Sequence, residues 1–283
     1  MANFNFDAVI KIGSMALIRK DDNDLDYNIF ARLASELKPG YILVSSGATE
    51  IGRIDYMKRH GGMELKGNID EIKTDYSAQG QTILMSMYRD FINPEFSVRQ
   101  VLVEHSHFND PAKAEHIKKM LFRSANQNAI PIVNYNDAVS DAENMRMELA
   151  DLKSGNQTIV ECVDNDETAA VIASLVGARL LVILSSVEGI YLDAGNSSTL
   201  VETIEGRDFA EVSEKIDTLM DSCNGTSRHG SAGAAAKLKY ARQALGGGTT
   251  VIIAHARHRL RDIISGKVKR TIIRVNERLN GKQ

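Results

Sequence analysis

Asp7-Ala8-Val9-Ile10-Lys11-Ile12-Gly13-Ser14 is the stretch that decides the fold. A short apolar run that empties into glycine and serine reads as a strand buried on both faces and followed by a loop. Lys11 is the exception inside it. A lysine in an apolar strand is costly unless its ammonium reaches a partner, such as a phosphate or a core carboxylate. Working outward, the pattern recurs at 41–45 (Tyr-Ile-Leu-Val-Ser), 98–103, 130–134 (Ile-Pro-Ile-Val-Asn), 179–184 and 249–253. Amphipathic stretches separate these runs at 24–37, 74–92, 111–127, 166–177, 207–220 and 233–245. Strand and helix in alternation predict a layered α/β fold with the sheet in the middle. No Pro/Ser-rich linker, internal repeat or low-complexity tract divides the chain.

Composition narrows the class. The chain has 283 residues and a formal net charge of −3, so nothing electrostatic favours nucleic acid as a partner. Cys162 and Cys223 lie far apart and fit free thiols in a reducing compartment. The start, Met1 to Asp7, lacks the basic and apolar regions of a signal peptide. The most apolar run, Ala169 to Leu184, is interrupted by Arg179 and is too short to cross a bilayer. A cytoplasmic protein without a membrane partner is the expectation.

In open α/β sheets, ligands bind beyond the carboxyl ends of strands. Those ends carry Lys11-Ile12-Gly13-Ser14, Ser45-Ser46-Gly47-Ala48, Asn134-Tyr135-Asn136-Asp137 and Ser185-Ser186. Asp164-Asn165-Asp166 follows a further short strand expected near 158–162. Five such ends together predict a cleft for a polar ligand. Gly13 and Gly47 permit close approach of backbone N–H groups to an anion, although each alone also suits an ordinary turn. Lys237 follows Ser231-Ala232-Gly233-Ala234-Ala235-Ala236, a helix start that suits phosphate, although the spacing alone favours a solvated lysine. Asp164-Asn165-Asp166 could bind a metal, orient lysines or cap the next helix, and capping needs only one of the three. The seven histidines show no ligand spacing beyond His105-x-His107 and read as surface or packing residues. No Walker A motif, dinucleotide-binding glycine loop or Gly-x-Ser-x-Gly elbow occurs. The stretch 135–160 is the least regular, carrying Asp137, Asp141, Glu143, Glu148 and Asp151 with a Gly155-Asn156 turn signal, and reads as a flap or a solvated excursion. The helix around Gln79 to Tyr88 reads as core or subunit interface.

In order along the chain, Val9-Ile10-Lys11-Ile12-Gly13-Ser14, Val44-Ser45-Ser46-Gly47-Ala48, Gln79-Gly80-Gln81, Ile130 to Asp137, Asp164-Asn165-Asp166 and Gly225-Thr226 with Lys237 resemble the amino acid kinase superfamily. Within it the chain looks most like the glutamate 5-kinases, from about residue 7 to about 275. The resemblance implies a three-layer αβα sandwich around a mostly parallel open sheet of about eight strands. It implies a single domain over 1–283, with an acceptor-binding lobe over 1–160 and a nucleotide-binding lobe over 161–283. It also implies a short form without the C-terminal PUA domain, and a homo-oligomer.

The activity implied is transfer of the γ-phosphoryl of ATP to the γ-carboxylate of glutamate, a step of proline biosynthesis. Lys11, Lys237 and Asp166 would be catalytic. Ser46, Gly47, Ala48, Asn134, Asp137, Asp164 and Asn165 would hold the acceptor. Gly13, Ser14, Ser185, Ser186, Gly225, Thr226 and Gly233 would hold the nucleotide. No side chain would ligate metal directly, since Mg²⁺ would arrive on the ATP phosphates. A glutamate side chain, with a pKa of about 4.3, is already a nucleophile at neutral pH and needs no general base. The obstacle is repulsion between two anions, which cations and backbone N–H groups overcome.

The chain departs from the family pattern at Tyr135, in the long 138–160 stretch, at Ser185-Ser186 and in the loop Gly225 to Gly233. These departures leave open a member with another acceptor, uridylate-kinase-like, or a non-catalytic ligand-binding protein on the same fold. The loop Ser45 to Glu50 is neutral to acidic and suits an amino acid, while Arg53, Lys58 and Arg59 keep a phosphorylated acceptor in play.

Overall fold

The computed structural model describes residues 6–19, 21–140, 142–153, 159–161, 165–193, 196–224 and 231–276. Twelve strands are present among them: β1 Phe6–Ile12, β2 Ile18–Arg19, β3 Asp24–Leu25, β4 Tyr41–Ser45, β5 Ser97–Val103, β6 Ala129–Tyr135, β7 Ala178–Ser185, β8 Ile190–Tyr191, β9 Leu200–Val201, β10 Thr203–Gly206, β11 Thr250–His255 and β12 Thr271–Val275. The helices are α1 Tyr27–Ala34, α2 Ala48–Arg59, α3 Ile69–Phe91, α4 His105–Asn109, α5 Pro111–Asn126, α6 Ala142–Lys153, α7 Asn165–Val176, α8 Phe209–Asn224, α9 Ser231–Leu245 and α10 Leu260–Ser265.

The expected sheet is present, with eight strands in the order β10-β12-β11-β7-β1-β4-β6-β5. Its β1–β7, β7–β11, β4–β6, β5–β6 and β10–β12 pairs are parallel, and β11–β12 is antiparallel. Every strand read from the sequence with described residues lies in it except the one near 158–162. That one falls partly outside the described residues, and Ile159–Glu161 within it are not a strand. The hydrogen-bonding groups of Val160 go instead to one side chain: Asn109 donates to its carbonyl at 2.8 Å and accepts from its N–H at 3.0 Å. The sequence reading lacked β10 and β12, which are short and only partly buried.

Burial explains the strands it found. All seven residues of β6 are buried, and six of seven in β1. Pro131 sits within β6, yet pairing with β4 runs only through Leu43↔Ile132 and Val44↔Val133. The proline lies outside that ladder, opposite Arg99 in the pairing with β5.

The chain divides into two compact units. One comprises Met1–Ile12, Gly40–Ile42 and Asp166–Gln283, the other Gly13–Pro39 and Leu43–Asn165. In the second, α2 and α3 pack backbone to backbone. A Cβ added to Gly80 would sit 1.8 Å from the Ala48 carbonyl, and one on Gly52 would sit 1.8 Å from that of Tyr76. The sequence reading lacked α2 because an internal glycine lowers helix propensity, and only packing against α3 offsets that cost. The 135–160 stretch is more regular than its composition suggests, since α6 occupies Ala142–Lys153. The Gly155-Asn156 turn signal lies outside the described residues. Among the described residues no helix is long and apolar enough to cross a membrane.

Candidate active site

β1 carries Lys11 opposite Ile183 of β7 in a run whose other buried residues are apolar, and Lys11 is itself buried. Its Nζ lies 2.7 Å from Oδ1 of Asp166, in the first turn of α7. The sequence thus meets the cost of a core lysine with a carboxylate placed at a helix N-terminus, where the helix dipole also favours negative charge. Both residues belong to the first unit, as do Lys237, Ser185, Ser186 and Gly233.

Lys237 lies on α9, with Nζ 3.2 Å from the Gly233 carbonyl of its own helix. Ser185 ends β7 half-buried and accepts at its carbonyl from the Ala256 N–H, 2.9 Å away, tying the β7 end to the β11 end. Ser186 and Gly233 are exposed. Gly225 and Thr226 lie outside the described residues, as does Asp164.

Two of the histidines read as surface or packing residues meet carboxylates. Glu188 is buried in the turn after β7, where it meets Arg257 and His258, the latter at 2.8 Å. In the second unit, buried His105 meets Glu148 of α6 at 2.8 Å.

The second unit holds the remaining expected acceptor residues. Gly47 caps α2 with φ +110°, a left-handed conformation that favours glycine, and a Cβ there would press to 3.0 Å of Leu17 Cδ1. Gly13, by contrast, is extended at φ −80°, so its backbone does not require glycine. Ser14 opens the short 3₁₀ turn that follows, and its carbonyl accepts from the Leu17 N–H. Ser46 is half-buried beside Gly47, and Ala48 is buried as the first residue of α2.

At the end of β6, Asn134 is 2% exposed and joins a line of amides. It donates through Nδ2 to Gln81 Oε1 at 2.8 Å and accepts at Oδ1 from Asn165 Nδ2 at 3.1 Å. Asn165 Oδ1 in turn accepts from the Tyr135 N–H at 3.4 Å. Asp137 is half-buried in the turn after β6, and burial pushes its carboxyl up to about 6, opposed by the charge of Lys73. Tyr135 points its hydroxyl at Ser140 and at the sulfur of Met145 on α6, so its backbone and not its ring joins the amide line.

Sequence reasoning gave Gln81 and Tyr88 to core or interface. Both are buried, as that reading expects; Gln81 also ends the amide line, and the Tyr88 hydroxyl meets Ser45 Oγ at 2.8 Å beneath the Ser46 loop. A buried polar residue on an otherwise apolar helix face was the available signal for Gln81.

The basic residues after the Ser45 loop are each engaged by acids. Arg53 pairs with Glu50 and Glu64, Lys58 with Asp24, and Arg59 with Asp55. Among the described residues, no three His, Cys, Asp or Glu side chains gather as a metal site.

A family model for the amino acid kinase family matches residues 8–255. A relative named glutamate 5-kinase from Gloeobacter violaceus is 33% identical over 87% of this chain and 61% of its own length. One of the same name from Alkaliphilus metalliredigens is 27% identical over 95% of this chain and 96% of its own length. The chain thus spans about three fifths of the first relative and nearly all of the second. Among solved structures, carbamate kinase from Giardia lamblia bound to AMP-PNP superposes with a TM-score of 0.60 at 15% identity, covering 96% of this chain and 99% of that one. UMP kinase from Ureaplasma parvum gives 0.51 at 16% identity, covering 95% and 98%. At such identities these structures establish the fold alone.

Proposed function

Because the chain belongs to the amino acid kinase family, we propose that it transfers the γ-phosphoryl of ATP to the γ-carboxylate of L-glutamate. The observation that carries this reading is the buried Lys11–Asp166 pair at 2.7 Å. It is a preorganised cation, held by the N-terminus of α7, of the kind that offsets charge developing on a transferring phosphoryl group. Lys237 would supply the second cation by leaving its own helix carbonyl for the phosphate. The acceptor carboxylate is ionised at neutral pH and attacks without a base. Bound Mg²⁺ would neutralise the β and γ oxygens of ATP. Asn134 and Asn165 would offer amide N–H groups to the α-carboxylate of glutamate, and Asp137 its charge to the α-ammonium. Ser46, Gly47 and Ala48 would line the acceptor side, while Gly13, Ser14, Ser185, Ser186 and Gly233 would line the nucleotide side.

The neutralised cations after the Ser45 loop favour an amino acid over a phosphorylated acceptor, because Arg53, Lys58 and Arg59 already face carboxylates. The names of the curated relatives point the same way. A coupled ADP-release assay run with L-glutamate and with UMP tests the assignment. Release with glutamate alone is expected, and release with UMP alone would overturn it.

A further inference from the structure

We propose that Gln81 is a positioning residue that, by receiving the last donor of a line of amides, holds the donor ends of Asn134 and Asn165 toward the acceptor. The inference rests on the acceptor reading above for what is bound, but not for how the amides are held. A side-chain amide presents a donor at one end and an acceptor at the other, and without a partner it can turn either way. Here each link removes that freedom. Gln81 Oε1 takes an N–H of Asn134, which leaves Asn134 Oδ1 to take an N–H of Asn165. Asn165 Oδ1 is then committed to the Tyr135 N–H. Both asparagine carbonyls are consumed inside the line. Among the described residues, the second N–H of each Asn Nδ2 has no partner, so the line offers donors only. Donors suit a carboxylate; a reversed line would present carbonyl oxygens and repel it.

Gln81 stands at the closed end of the line. It is 9% exposed on α3, and its Nε2 is buried without a hydrogen-bond partner among the described residues. An amide with one end unsatisfied is a poor choice for packing alone, because a leucine or methionine would fill similar space without the unmet donor. Only its oxygen is used: it receives the last donor of a line whose direction is fixed at the other end by the Tyr135 N–H, which can only donate. Asp137, three residues beyond Asn134, carries the opposite preference, so the site distinguishes the two charged groups of an amino acid. Gln81 touches neither and acts through Asn134.

The test compares Gln81→Leu, which removes the oxygen, with Gln81→Glu, which keeps one. With L-glutamate as the probe, Gln81→Leu should raise KM for glutamate about tenfold, equivalent to about 1.4 kcal/mol. Its KM for ATP and kcat should stay within about twofold, and Gln81→Glu should recover most of the loss. Equal changes in both KM values, or no change, would overturn the proposal. Gln81→Met replaces Gln81→Leu if the latter fails to fold. A second arm needs no turnover: the side-chain ¹H–¹⁵N signals of Asn165, two links from Gln81, should shift or double in Gln81→Leu. Their staying in place would overturn the line itself. Absence of glutamate-dependent ADP release in the unmodified protein would refute the acceptor reading and leave this second arm to decide the role of Gln81.

Discussion

Replacing Lys11 with methionine separates structure from chemistry at the centre of the proposal. Lys11 and Asp166 lie 2.7 Å apart, with side chains 10% and 11% exposed. Removing one partner of a buried pair costs about 3–5 kcal/mol, most of it the desolvation of the charge left behind. Asp166 makes further interactions, which places the cost at the lower end, about 3 kcal/mol. At about 2–3 °C per kcal/mol for a chain of this size, the melting temperature should fall by roughly 6–9 °C. The double variant Lys11→Met/Asp166→Asn removes both charges, and most of that loss should return. Turnover should not return, because the cation that meets the phosphoryl group is still missing; a fall of about 10²–10³ is expected in both variants. Differential scanning calorimetry and ADP release, measured on the same preparations, read the two effects. A double variant that recovers activity along with stability would show that Lys11 serves only the fold, and the phosphotransfer reasoning built on it would fail.

Other perturbations address the remaining parts. The Asp137 carboxyl sits near 6 in the folded chain, above the ordinary 3.8. Folding therefore takes up a proton between those values, and this group's contribution declines as pH rises from about 4 to 6. Asp137→Asn should accordingly stabilise the protein at pH 7 by about 2 kcal/mol, a gain that vanishes below about pH 4 in pH-dependent chemical denaturation. The same carboxyl must be ionised to meet an ammonium, so KM for glutamate should climb below about pH 6, and a flat profile would remove Asp137 from acceptor binding. Lys237→Ala should lower turnover about 10²–10³-fold; unchanged turnover would remove it from the mechanism. Gly80→Ala should abolish soluble expression, because its Cβ would meet the Ala48 carbonyl at 1.8 Å, whereas Gly61→Ala, at φ +61° in open space, should cost only about 1 kcal/mol in urea denaturation.

The fold was legible in the chain because its central strands are buried on both faces and carry apolar runs, interrupted only by Lys11 in Ala8 to Ile12 and continuous in Leu180 to Leu184. Helix boundaries were set by local signals, such as Asp110 capping α5 just ahead of Pro111. Among the elements that escaped, α2, β10 and β12 lack such signals: Gly52 weakens α2 locally, and the two strands have mixed burial.

Local pattern also determined that Lys11 needed a partner and that polar residues crowd the ends of strands. What it left open was the choice among partners. Sequence allowed Lys11 a phosphate or a core carboxylate, and the first turn of α7 brings Asp166 to it. Sequence assigned Gln81 to a packed helix face, and only the approach of α3 to the end of β6 sets its oxygen against Asn134, 53 positions away along the chain. Strands and helices follow from neighbours in sequence, so composition and period reveal them. Ion pairs and amide orientations depend on groups brought together from distant segments, and those meetings exist only once the chain has folded.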